Sequence, residues 1–130
     1  DLPVANMYGK SSNINLPSSI KSSINTNLMV LGSIVFYFII SNILINTFNI
    51  GYPFNIFLRG LLEMTQGLND VIYLNSDIKV ITTVIFITFG GFSIHTQVKC
   101  SLDEYGLDYK YFFKGRILQL IIAIILTFIP

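Results

Sequence analysis

The chain has 130 residues, a net charge of +1, and 52% hydrophobic against 12% charged residues, with a mean hydropathy of +0.66. These values place it in the membrane class rather than the soluble one, and the lack of a basic excess excludes a nucleic-acid footprint. The single cysteine, Cys100, excludes an internal disulfide and a cysteine-built metal site.

Residues 1–23 are polar and interrupted by Pro3, Gly9 and Pro17, which reads as a surface loop. Pro17-Ser18-Ser19 marks the place where a short interfacial helix carrying Ile20 and Ile24 would start. Residues 27–46 carry no charge and rise about 30 Å as a helix, enough to span the hydrocarbon of a bilayer. Gly32, Ser33 and Ser41 are the small residues of a helix–helix contact there, and Asn42 reads as a hydrogen bond to a neighbouring helix. A turn region with Gly51 and Pro53 follows, and Pro53 is placed to open the next helix.

Residues 54–74 are apolar but hold Arg59, Glu63, Thr65, Gln66, Gly67, Asn69 and Asp70. One straight span would put Arg59 and Glu63 in hydrocarbon, at roughly 2.5–3.5 kcal/mol per charge. A re-entrant hairpin, entering and leaving on one side, would have its tip near Glu63 to Gly67. The basic residues decide between the two. Lys10 and Lys21 precede the first span, and Lys99, Lys110, Lys114 and Arg116 follow residues 80–98. Both flanks are cytoplasmic by the positive-inside rule only if 54–74 does not cross. Asp70 and Asp77 then fall on the outer side.

Residues 80–98 form a span broken at Gly90-Gly91, with Ser93, His95, Thr96 and Gln97 directly after the pair. Residues 99–116 read as a cytoplasmic loop with aromatic interface anchors, and 117–130 as a span cut short. No signal peptide is visible, and the chain reads as a fragment of a larger membrane protein. The fold class expected is therefore all-α integral membrane: spanning helices, a re-entrant helical hairpin and a Gly-Gly-broken helix.

Hydrocarbon offers no water to backbone or polar side chains, so a polar cluster at mid-span marks a functional site. A break at Gly90-Gly91 would aim the N–H groups of a new helix N-terminus at an anion. At about 100° per residue Gly90, Ser93 and Gln97 share a face, while His95 aligns with Gly91 and lies nearly opposite Gln97. Ser93 and Gln97 are the first ligand contacts to expect and His95 the next. A plain packing role, with each polar side chain bonded to a neighbour, is the alternative. Arg59 and Glu63, four apart on one helical face, either neutralise each other or leave Glu63 as a cation or proton site. In the second case Thr65 and the Gly67 turn supply further contacts, and Asn69 and Asp70 cap or leave the hairpin. No nucleophile–base pair, phosphate loop, cofactor motif or metal cluster is present, so neither an enzyme nor a cofactor is expected.

Two motifs carry a family resemblance. Gly60-Leu61-Leu62-Glu63-Met64-Thr65-Gln66-Gly67 and Phe89-Gly90-Gly91-Phe92-Ser93-Ile94-His95-Thr96-Gln97-Val98 resemble paired segments of the sporulation integral membrane protein family YlbJ/SpoVV, of the nucleoside-recognition or gate superfamily. Tyr109-Lys110-Tyr111-Phe112-Phe113-Lys114-Gly115-Arg116 is similar to the stretch leading into that family's last span. The resemblance covers the chain from about Lys21 onward. It implies a transporter moving dipicolinic acid across the outer forespore membrane, of which this chain would be the C-terminal part. The substrate contacts it implies are Gly90, Gly91, Ser93, His95, Gln97, Glu63, Thr65 and Gly67. The partners it implies are a small anionic substrate, membrane lipid, a coupling ion and the N-terminal part of the same protein. Two other readings stand beside it: a structural sporulation membrane protein without transport, and a nucleoside or ion permease of the same superfamily.

Overall fold

The computed structural model describes residues 15–129, and these are helical throughout, joined by short turns. Helix α1 (Leu16–Phe48) starts well before the expected span and ends two residues after it. Pro17 lies in its first turn, where a missing N–H costs nothing, and Asn49 ends it in the left-handed region at φ 50°. Residues 16–23, expected as loop, are thus the first two turns of this helix. Ser18 Oγ donates locally to the Asn15 carbonyl at 2.7 Å, and further along Thr26 Oγ1 donates to the Ser22 carbonyl at 3.0 Å. Polarity there marks an exposed helical surface rather than the end of the helix. The rest of the expected loop lies outside the described residues.

Helix α2 (Phe54–Leu62) opens directly after Pro53 and stops where Glu63 turns extended, at φ −138° and ψ 111°. Helix α3 (Met64–Asp70) starts on the far side of that residue and runs into a 3-10 turn, Val71–Tyr73. The two short helices fold back on each other through glycine. A Cβ placed on Gly67 would lie 2.2 Å from the Gly60 Cα, and one on Gly60 would lie 2.2 Å from Cζ of Phe86. The Phe86 ring, 1% exposed, fills the space both glycines leave, with Phe57 at its edge. Ile56, Val71, Leu74 and Phe86 form the small core, covered by Phe57, Met64, Leu68 and Ile85.

Helix α4 (Ser76–Phe89) ends at Gly90, which is left-handed at φ 86°, and helix α5 (Gly91–Glu104) begins at the next residue. A non-glycine side chain would be strained in that backbone state. Helix α6 (Tyr109–Thr127) starts after Asp108, whose side chain accepts from Lys110 N at 2.8 Å. The expected loop over 99–116 is therefore mostly helix: α5 continues to Glu104 and α6 takes up at Tyr109. The polar residues of that stretch lie on exposed helical turns, and residues 105–108 alone make the connection.

The ends of the elements sort into two groups. Ser18, Lys21, Ser22 and Asn25 of α1 line one cleft with Ser101 and Glu104 of α5. At the other end the Tyr52 hydroxyl, before α2, donates to the Tyr73 carbonyl at 3.3 Å. The start of α2 and the end of the 3-10 turn therefore lie together. Two stretches, Leu16–Phe48 and Ser76–Glu104 counted through Gly90, are long and apolar enough to cross a membrane. Leu28, Leu31, Val35, Phe36, Phe38, Ile39 and Ile43 of α1 are all largely exposed. An apolar surface of that extent has lipid or protein as its natural neighbour.

Candidate functional site

The two motifs singled out in the sequence meet in space. A Cβ on Gly91 would lie 3.0 Å from Met64 N and 3.3 and 3.4 Å from the carbonyl oxygens of Gly60 and Leu61. The first residue of α5 thus rests on the turn between α2 and α3. Gly91, at φ 70°, is the residue that permits both the backbone turn and the approach.

Glu63 occupies that turn and is 2% exposed. Its Oε2 accepts from Gln66 N at 2.9 Å and from the Thr65 hydroxyl, which makes it the N-cap of α3. Arg59 does not pair with it. Because the helix stops at Glu63, the side chain four residues on from Arg59 leaves the α2 face, and α3 brings Asp70 back instead. Arg59 Nη1 donates to Asp70 Oδ2 at 2.8 Å and Nη2 to Asn42 Oδ1 at 3.4 Å. Mutual neutralisation of Arg59 and Glu63 is thereby excluded, and Asp70 ties α3 to α2 rather than capping the hairpin. Asn42 bonds to a neighbouring helix, as its place in an apolar run requires.

Beyond Gly91 the side chains part company. His95, 5% exposed, faces α6: its Nε2 donates to the Phe89 carbonyl at 3.0 Å, and its Nδ1 meets the Tyr109 hydroxyl. A carbonyl only accepts, so the Nε2 of a neutral His95 carries the proton and Nδ1 accepts from Tyr109. Phe89, Phe92, Phe112 and Phe113 surround the imidazole. Gln97 faces α1, where Nε2 donates to Ser33 Oγ at 2.7 Å, and Thr96 shares a hydrogen bond of 2.8 Å with Tyr37. Arg116 of α6 donates to the Thr88 carbonyl at 3.2 Å, at the C-terminal end of α4. Gly32 has nothing within 4 Å of an added Cβ, so Ser33 rather than Gly32 makes the α1 contact.

Ser93 is different. It is completely buried, and its hydroxyl finds no hydrogen-bond partner among the described residues. Such a group is costly to leave unpaired, at about 1–3 kcal/mol. Ser93 is also the third residue of α5, in the turn whose N–H groups have no helical acceptor.

Of the expected site residues, Gly90, Gly91, Ser93, Glu63 and Thr65 gather around the meeting of the α2–α3 turn with the α5 N-terminus. Gly67 lies in the packing of α3 on α2, and His95 and Gln97 are bonded outward to α6 and α1. Tyr109, Tyr37, Asp70 and Phe86 are partners that sequence reasoning missed. Only Asp70 carried a signal, as an acidic residue beyond the glycine turn with Arg59 before it. Among the described residues no group of three metal-binding side chains occurs. No protein-family model, curated protein or solved structure matches the chain.

Proposed function

We propose that the chain is part of a membrane transporter of a small organic anion, in which α2 and α3 form a re-entrant hairpin and Ser76–Glu104 a span broken at Gly90. The orphaned, fully buried Ser93 hydroxyl at the start of α5 carries this reading. A buried donor without a protein partner beside free helical N–H groups suits a carboxylate. The motif resemblance supports dipicolinic acid, a dianion, as the cargo and the outer forespore membrane as the place. Glu63 is the residue proposed for a coupling proton or cation.

Two contacts support the hairpin reading. The Tyr52–Tyr73 hydrogen bond brings the start of α2 and the end of the 3-10 turn together, and Lys21 of α1 shares a cleft with Ser101 and Glu104 of α5. With Cys100 replaced, single cysteines at Ser19 and Leu107 should label from the cytoplasmic side and one at Asn75 from the outside. Labelling of Ser19 and Leu107 from opposite sides removes the hairpin.

The hydrogen bonds of His95, Thr96 and Gln97 to α6 and α1 favour a second reading: a sporulation membrane protein whose polar motifs only lock helices together. Ser93→Ala separates the two. Its hydroxyl bonds nothing in the protein, so the substitution leaves the inserted amount unchanged under both readings. The transport reading expects apparent dipicolinate affinity to fall by roughly two- to ten-fold, the effect of one neutral hydrogen bond. The locking reading expects no transport to lose. Gly91→Leu is no substitute, because its side chain would strike Met64 N whatever the function.

A further inference from the structure

We infer that the cleft between α1, α2 and α3, lined by Asn42, Arg59, Gln66, Asn69 and Asp70, is a docking site for the carboxylate of a small organic acid. The cleft measures about 250 Å³ and lies on the Arg59 side of the hairpin, apart from the Gly90 break. Its donors outnumber its acceptors. Asp70 takes only Nη1 of the guanidinium, at 2.8 Å. The side edge, where Nε and Nη2 lie in parallel, is left with one long bond of 3.4 Å from Nη2 to Asn42. Arg59 Nε is buried and has no partner among the described residues, and neither has Gln66 Nε2.

The Nε–Nη2 edge of arginine is shaped for two parallel hydrogen bonds to a carboxylate. A carboxylate there would take the place of Asn42 Oδ1 on Nη2, satisfy Nε, and come within the range of the Gln66 amide. Asn42 yields at small cost, since its own amide stays bonded to the Phe38 carbonyl. Asp70 opposes the ligand, because two carboxylates then share one guanidinium. The incoming acid therefore weakens the Arg59–Asp70 tie that holds α3 to α2, which makes the cleft an entrance that loosens the hairpin as it fills. Its biological use rests on the proposed transport of an anion, whereas the binding can be tested alone.

The test is a titration of the purified protein in detergent micelles with benzoate, read on the arginine Nε–H resonances. Arg59 and Arg116 are the two arginines of the sequence, so assignment needs one variant. A saturable downfield shift of Arg59 Nε–H with benzoate, without a comparable shift for benzamide or for Arg116, is the expected result. Gln66→Leu weakens benzoate binding roughly five-fold, as loss of one hydrogen bond would, and Asp70→Asn tightens it. No saturable shift, an equal response to benzamide, or weaker binding by Asp70→Asn overturns the site. The wild-type titration decides even where a variant does not fold. Benzoate binding without any anion uptake keeps the cleft and defeats the transport reading. Uptake that is intact while Arg59 stays silent does the reverse.

Discussion

Gly67→Ala should eliminate the folded protein, although alanine is the better helix former by about 1 kcal/mol. The reason is where the methyl group would go. It would lie 2.2 Å from the Gly60 Cα and 2.8 Å from the Gly60 nitrogen, which are backbone atoms of the facing helix. No rotamer change relieves such a clash, so α2 and α3 must separate. The expected cost then exceeds the roughly 1–3 kcal/mol of ordinary overpacking. Gly60→Ala meets a side chain instead, the Phe86 ring at 2.2–2.4 Å. That ring is buried against Phe57 and cannot swing away, so the single variant is also damaged. Adding Phe86→Leu should recover part of the loss at Gly60, measured against Phe86→Leu alone, and none of it at Gly67. Gly32→Ala, with open space around it, should be neutral or slightly stabilising. Membrane abundance and the melting of the detergent-purified protein check the set. A Gly67→Ala protein that is abundant and melts normally would mean that α2 and α3 do not pack through these glycines.

The parts of this architecture that were legible in the sequence are those set by backbone chemistry. Gly90-Gly91 follows a long apolar run, and the left-handed state of Gly90 between α4 and α5 is one that glycine favours. Pro53 marked the start of α2 for the same kind of reason. Side-chain partners were not legible. The four-residue spacing of Arg59 and Glu63 means a shared face only on an unbroken helix. The chain stops being helical at Glu63, and the spacing loses its meaning at that residue. Helix ends in polar sequence were equally hidden. Residues 16–23, 99–104 and 109–116 have the composition of loops because they are exposed turns of helices whose apolar parts lie further along. Such turns extend a helix that is already nucleated, where each further residue fixed adds a hydrogen bond. Ser93 was legible by face but not by role. Gln97 shares its side of the helix, yet Gln97 reaches Ser33 while the shorter serine reaches nothing.

Glu63→Gln should leave the protein folded and, on the proposed transport function, stop coupled uptake. The fold survives because the cap needs an acceptor and not a charge. A single oxygen, Oε2, receives both the Gln66 N–H and the Thr65 hydroxyl, and the amide oxygen of glutamine can do the same. What glutamine cannot do is take up and release a proton or hold a cation. Glu63 is 2% exposed, and the only ion pair among the described residues joins Arg59 to Asp70. A buried carboxylate without a countercharge is held by hydrogen bonds alone, and a mobile cation is the natural complement to it. If Glu63 carries that cation, uptake per inserted molecule falls roughly 10²-fold, the scale of losing a positioned proton-transfer group. Exchange of labelled for unlabelled anion, which needs no net cation movement, persists. Glu63→Ala is expected to behave differently, since it removes the cap as well, at about 0.5–2 kcal/mol, and lowers the inserted amount. Adding Arg59→Leu to Glu63→Gln should rescue nothing, because Arg59 already has Asp70 as its partner. Uptake and abundance measured on the same membranes separate the roles: an abundant Glu63→Gln protein with full coupled uptake leaves Glu63 as the cap of α3 and no more.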